Sequence, residues 1–270
     1  MTVTVVLVGC GNMGRAMLEG WLAAGKLKPE EVLVVEPAQA LRERAAALGV
    51  ATLAEAGDIA GGTAPGLVVF AVKPQVIRDV IPAYKRFKAG ATYVSVAAGT
   101  PVAAFEQLLG ADAAILRCMP NTPAAIGKGM MVTFANGHVT AEAAAFVADL
   151  LSASGRVAEI ADEGLMDAVT AVSGSGPAYV FHFIECLTAA GEAAGLPAET
   201  AKLLAMQTVY GAAALAAQSG EEPGELRRQV TSPNGTTAAA LAVLMGEDRL
   251  KTLLTQSVEA ARARSVELRG

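Results

Sequence analysis

Apolar residues follow two rhythms along this chain, and the change from one to the other near residue 160 divides it. In the first part short β-branched or apolar runs alternate with helical spacing. Val3 to Val8, Val32 to Val35, Leu67 to Val72, Thr92 to Ala97, Ala114 to Met119, Met130 to Ala135 and Arg156 to Ile160 each predict a strand. An unbroken run such as Val3 to Val8 marks a strand covered on both faces, the habit of a parallel sheet between helical layers. Helical patterns intervene, for example Met17, Leu18, Trp21 and Leu22, and later Ala141 to Ser152. From Asp162 onward the strand rhythm stops. Long helical patterns rich in Ala, Leu and Met follow, broken at Gly195-Leu196-Pro197, Gly220 to Gly224 and Thr231 to Gly235. The expected class is α/β, with a doubly wound sheet over residues 1–160 and an all-helical domain over 161–270.

The first strand runs straight into Gly9-Cys10-Gly11-Asn12-Met13-Gly14 and then a helix. In that setting each glycine has its own task. Gly9 makes the turn, Gly11 lets a pyrophosphate approach the backbone, and Gly14 lets helix and strand pack closely. The second strand ends in Glu36, 22 residues past Gly14, where an acidic side chain meets the adenosine ribose hydroxyls. A 2′-phosphate about 4 Å from that carboxylate would be repelled by about 1 kcal/mol in water and about 4 at an effective dielectric of 20. NADH is therefore expected to be favoured over NADPH, with Arg42 and Arg44 on the next helix as the residues that would oppose this.

Other strands also end in loops that face the cofactor edge of such a sheet. Leu67 to Val72 closes on Lys73-Pro74, with Lys73 expected near the nicotinamide ribose and Pro74 at the first position of a helix. Thr92 to Ala97 passes into Ala98-Gly99-Thr100-Pro101. Ala114 to Met119 passes into Pro120-Asn121-Thr122-Pro123, a rigid loop that would aim the Asn121 amide into the space the strand ends surround.

Composition narrows the class of protein. With 21 basic and 26 acidic residues, a formal charge of −5 and no Lys/Arg cluster, nucleic acid and anionic membranes are not expected partners. Cys10, Cys118 and Cys186 are few and widely spaced, which predicts buried free thiols in a reducing cytoplasm and no disulfide framework. No targeting peptide or membrane span is expected. The only histidines are His138 and His182, the latter expected to pack in a core, so neither a metal site nor a Ser-His-acid triad is predicted.

In the helical half two stretches carry candidate chemistry. Val230-Thr231-Ser232-Pro233-Asn234-Gly235-Thr236-Thr237 precedes an apolar helix and concentrates hydroxyls at its start. Pro233 sets a turn, Gly235 admits a ligand to the backbone, and Thr236 or Thr237 is expected to cap the helix; the free amides there suit a carboxylate or phosphate. Ala171-Val172-Ser173-Gly174-Ser175-Gly176-Pro177-Ala178-Tyr179 interrupts a helical pattern with small residues, and Pro177 restarts it.

Taken in order, G-C-G-N-M-G at 9–14, A-V-K-P at 71–74, A-A-G at 97–99, M-P-N-T-P at 119–123, A-V-S-G-S-G-P-A-Y at 171–179 and V-T-S-P-N-G-T-T at 230–237 resemble pyrroline-5-carboxylate reductase over essentially the whole chain. The resemblance implies a Rossmann-type domain for NADPH or NADH and a helical dimerisation domain, so that each active site draws on both subunits and dimers can assemble further. It implies cofactor contacts at Gly9, Gly11, Asn12, Met13, Gly14, Glu36, Ala71 to Pro74, Ala98, Gly99 and Asn121. It also implies that Ser232, Gly235, Thr236 and Thr237 receive the carboxylate of a small cyclic imino acid. Thr237 then lies near the ring nitrogen, with Ser175 and Gly176 lining the pocket, and Thr237 and Ser175 are the catalytic candidates. The chain departs from the family pattern at Asn234, where a glycine is common, at Arg227 and Arg228, where an acid often stands, and at Met245, where a Glu is usual. The competing readings are a 3-hydroxyacid-type dehydrogenase, which needs a lysine that Lys202 and Lys251 are badly placed to supply, and a non-catalytic dinucleotide-sensing dimer.

Overall fold

The computed structural model describes residues 3–268. Its α/β part runs β1 (Val5–Val8), α1 (Asn12–Ala23), β2 (Val32–Val35), α2 (Gln39–Ala46), β3 (Ala51–Leu53), β4 (Leu67–Phe70), α3 (Pro74–Val80), β5 (Thr92–Ser95), α4 (Val102–Leu109), β6 (Ile115–Met119), β7 (Gly129–Ala135), α5 (Ala141–Ser152) and β8 (Gly155–Glu159). The strands form one sheet in the order β3-β2-β1-β4-β5-β6-β7-β8. From β1 the chain builds outward to β2 on one side and then crosses to β4 on the other. That reversal opens a crevice at the carboxyl ends of β1 and β4, the usual seat of a ligand in such sheets.

The apolar runs are explained by two core layers. Val5 and Leu7 pack on one face with Met17, Trp21 and Leu150, while Val6 and Val8 pack on the other with Ile77 and Phe105. Each such side chain removed from water contributes about 1.5 to 3 kcal/mol. Alternate residues of β1 thus anchor helices on opposite sides of the sheet, and neither face can carry a polar residue.

Two features were not legible in the hydrophobic rhythm. β3 is a strand of only Ala51, Thr52 and Leu53, none of them buried, so it shows no periodicity. β7 runs antiparallel to β6, breaking the parallel order, because the connection over 120–128 is too short for a crossover. β8 returns parallel to β7, with Gly129 opposite Gly155. Gly155 has a φ of 153°, and a side chain there would overlap the Gly129 carbonyl. Gly155→Ala should therefore lower the melting temperature by about 10 °C or more; a melting curve superimposable on that of the parent would refute this.

Helices then follow as α6 (Met166–Val169), α7 (Gly176–Ala193), α8 (Ala198–Ser219), α9 (Pro223–Gln229), α10 (Thr236–Met245) and α11 (Arg249–Glu267). By its internal contacts the chain divides into two compact units. One runs to Ser175 and is rejoined by the chain from Ala261 onward; the other is Gly176–Ala260. In the first, the buried Ser265 hydroxyl donates to Asp167 at 2.8 Å and ties the end of α11 to α6. In the second, α7 ends at Gly195 in the left-handed region, with Leu196 N–H closing on the Gly191 carbonyl. Between α7 and α8 only Ala201 and Ala205 are buried, and Phe181, Phe183, Leu203 and Tyr210 face outward in the single chain. This corrects two expectations: His182 lies exposed, its Nδ1 beside Glu185, and Cys186 is exposed while Cys10 and Cys118 are buried. A unit of so few helices has no core of its own deep enough to hold them. Among the described residues no helix is long and apolar enough to cross a membrane.

Candidate active site

The loop between β1 and α1 is built from three glycines with three different constraints. Gly9 turns the chain at a φ of 87°, and a side chain on it would approach within 3.0 Å of the Ala71 carbonyl. A side chain on Gly14 would overlap the Gly9 carbonyl oxygen. Gly11, by contrast, has nothing within 4 Å of where a Cβ would stand, so its backbone faces open space. Gly11 is also the N-cap of α1, with no side-chain cap and no acid in the first turn. The amides of Asn12, Met13 and Gly14 are therefore left for an anion, as a dinucleotide pyrophosphate requires.

Glu36 does not turn to solvent. It is 6% exposed. Its Oε2 accepts the Cys10 N–H at 2.7 Å and its Oε1 accepts the Ala38 N–H at 2.9 Å. The carboxylate thus clamps the glycine loop from the end of β2. Arg42 is spent on the same turn, donating from Nη1 to the carbonyls of Glu36 at 2.8 Å and Pro37 at 3.0 Å. Arg44 is exposed and lines a shallow cleft with Asn12, Arg15 and Thr122. Burial, reinforced by the Glu36 charge, pushes the Cys10 thiol up to about 11, so it stays a neutral packing group within the loop.

Ala71 stands beside this loop, its N–H donating to the Val8 carbonyl at 2.8 Å. Val72 is half-buried, and Lys73 is exposed as the N-cap of α3 with Pro74 at the first helical position. Ala98 is half-buried; Gly99, at a φ of 75°, would bring a side chain within 3.3 Å of the Leu268 carbonyl, so its small size serves the carboxyl-terminal stretch. Asn121 has its side chain committed inside the protein. Its Oδ1 accepts the Met130 N–H at 2.9 Å, and its Nδ2 donates to the Ser173 carbonyl and Oγ, both at 3.3 Å.

Sequence reasoning missed Arg117 and Glu163. Arg117, 4% exposed within β6, meets Glu163 at 2.5 Å, and the same Glu163 oxygen accepts the Val102 N–H at 2.8 Å at the start of α4. A charge inside the run Ile115-Leu116-Arg117-Cys118-Met119 was the available signal, because a buried guanidinium demands an acidic partner.

The stretch 171–179 does not leave the helix. It widens to a π turn over Thr170–Gly174, where the Ser175 N–H bonds the Thr170 carbonyl at 2.8 Å. Ser175 closes the first unit and Gly176 opens the second. Within the second unit, Gly235 caps α10 in an extended conformation without a side-chain cap, and Thr236 and Thr237 are its first two residues. This corrects the expected cap: neither threonine serves, because the chain reaches helical geometry one residue earlier. The Gly235 N–H bonds the Ser232 carbonyl at 3.1 Å, and the Ser232 hydroxyl fills the space a side chain on Gly235 would take. Asn234 adopts a φ of 59°, which explains why asparagine can replace glycine there. Hydroxyls and free amides therefore converge on one turn that contains no acidic side chain.

Residues 163–268 match the family model for pyrroline-5-carboxylate reductase dimerisation, and residues 4–99 match the model for coenzyme F420-dependent NADP oxidoreductase. The chain is 40% identical to the pyrroline-5-carboxylate reductase of Pseudomonas aeruginosa, over 99% of this chain and 97% of that one. It superposes on the Coxiella burnetii pyrroline-5-carboxylate reductase with a TM-score of 0.93 at 34% identity, covering 100% of both chains. The Plasmodium falciparum pyrroline carboxylate reductase, solved with NADP bound, gives 0.85 at 29% identity over 99% of this chain and 98% of that one. With whole-length likeness to enzymes of one kind, and with the glycine loop and the hydroxyl-rich turn both formed, this chain belongs to the pyrroline-5-carboxylate reductase family.

Proposed function

We propose that the chain reduces 1-pyrroline-5-carboxylate to L-proline, the closing step of proline synthesis, as an NAD(P)H-dependent oxidoreductase of the cytoplasm. The observation that carries this is the uncapped start of α10, where the amides of Thr236 and Thr237 and the Ser232 hydroxyl meet beside a glycine. Such a turn suits one small carboxylate. Charge-assisted bonds from these groups contribute about 1.5 to 3 kcal/mol each.

The glycine loop at residues 9–14, Glu36 and the strand-end residues 71–74 and 98–99 would hold the dinucleotide, whose reduced nicotinamide supplies the hydride. The chain's own part is to grip the carboxylate at Ser232, Gly235, Thr236 and Thr237. The Thr237 hydroxyl engages the ring nitrogen, and Ser175 and Gly176 line the pocket. A protonated imine is already electrophilic, so holding the ring in place does most of the work. Residues 1–160 serve the cofactor, and residues 161–270 serve the substrate and a homodimer. The outward Phe181, Leu203 and Tyr210 support that assembly, since such side chains are costly to leave in water. The three free cysteines suit a reducing compartment.

Glu36 makes NADH the preferred donor in this reading. Thr237→Ala should lower kcat/KM for the imine about 10- to 100-fold while the NADH dissociation constant stays within about twofold. Unaltered kinetics in that variant would remove Thr237 from the mechanism.

A further inference from the structure

Asn121 stands in a strand-end loop where a cofactor contact is the obvious role, yet every polar atom of its amide is already used. Oδ1 takes the Met130 N–H, which fixes the start of β7, and Nδ2 reaches across to Ser173. The Ser173 carbonyl needs that donor for a reason written in the sequence. In an α-helix it would accept from residue 177, but residue 177 is proline and has no N–H. The helix answers by widening, with the Ser175 N–H reaching back five residues to Thr170. Thr170 is itself held, its hydroxyl donating to the Met166 carbonyl at 2.9 Å. Beside this, Gly174 leaves room for the methyl end of Met119, so the M-P-N-T-P loop and the S-G-S-G stretch interlock at two adjacent points.

We propose that Asn121 is a positioning residue for the imine pocket: through Ser173 it holds the π turn that sets the pose of Ser175. A π turn is a sparsely populated geometry that relaxes unless neighbours over-determine it. Without the amide, the Ser173 carbonyl loses its donor and Pro177 cannot supply another, so the turn shifts to bring that carbonyl to a new partner or to water and Ser175 moves with it. This rests on the proposed pocket role of Ser175 and adds the group that enforces it.

The test uses the full-length enzyme with pyrroline carboxylate and NADH. Asn121→Asp keeps the acceptor for Met130 but sets an oxygen against the Ser173 carbonyl. It should lower kcat/KM for the imine about 10- to 50-fold while the NADH dissociation constant, read by fluorescence titration, stays within about twofold. Ser173→Ala, which removes one of the two acceptors, should cost about threefold. The deciding measurement is coupling: in a Ser175→Ala background, Asn121→Asp should cost less than about twofold further, because its effect runs through that serine. A full additive loss, or an NADH constant that rises in step with the lost activity, overturns the proposal. If Asn121→Asp is silent while Ser175→Ala is impaired, the inference alone fails. If Ser175→Ala is itself silent, the pocket role of Ser175 fails first and the inference falls with it.

Discussion

Gly14→Ala is expected to raise the NADH dissociation constant by about a hundredfold or more, equivalent to about 3 kcal/mol. The added methyl would overlap the Gly9 carbonyl oxygen and lie 3.1 Å from the Ala71 side chain. Both obstacles are held in place. Gly9 is anchored by its N–H to the Val35 carbonyl at 2.8 Å, and Ala71 by its N–H to Val8. No flexible side chain is available to give way, so α1 must back off from the loop, and the amides of its first turn move with it. Gly11→Ala makes a useful contrast, because its methyl meets no protein atom and would interfere only with a bound pyrophosphate. Isothermal titration with NADH, alongside circular dichroism, would test the pair; a Gly14→Ala protein binding NADH within about threefold of the parent would refute the packing argument.

Glu36→Gln should shift the ratio of kcat/KM values for NADH and NADPH toward NADPH by about tenfold or more. The carboxylate is buried and fixed by two backbone amides, so it cannot swing aside from an incoming 2′-phosphate. Repulsion of about 1 to 4 kcal/mol is the range for a separation near 4 Å. Glutamine keeps the shape and removes the charge. Its amide can satisfy one of the two N–H groups, so a modest loss of stability accompanies the change. Arg42 cannot compensate without abandoning the carbonyls of Glu36 and Pro37, whereas Arg44 is exposed and free to approach a phosphate. Parallel steady-state assays with both cofactors decide the matter: a ratio unmoved by the substitution would show that Glu36 serves the loop alone and has no part in choosing the cofactor.

Much of the framework was readable because it depends on neighbours in the chain. Backbone geometry is local, so the roles of Gly9 and Gly14, the helix start at Pro74 and the turn around Pro233 followed from residue type and order. The covered strands could be found because a residue pair such as Val5 and Val6 must satisfy two opposite apolar layers, which leaves an unbroken run. The last turn was read correctly as a helix start and misread in its cap, an error of one residue that changes which groups are left free. Thr236 and Thr237, as the first two helical residues, offer amides as well as hydroxyls.

What the chain determined by itself was therefore the succession of strands and helices, the glycine loop and the hydroxyl-rich turn, each a matter of local propensity and period. Tertiary structure alone decided that Glu36 faces inward onto Cys10, that Asn121 reaches Ser173, that Arg117 finds Glu163, and that β7 reverses. The physical reason is separation: these partners stand 26, 52 and 46 residues apart, and a hydrogen bond is satisfied by whatever the fold brings within about 3 Å, which no pattern along the chain encodes.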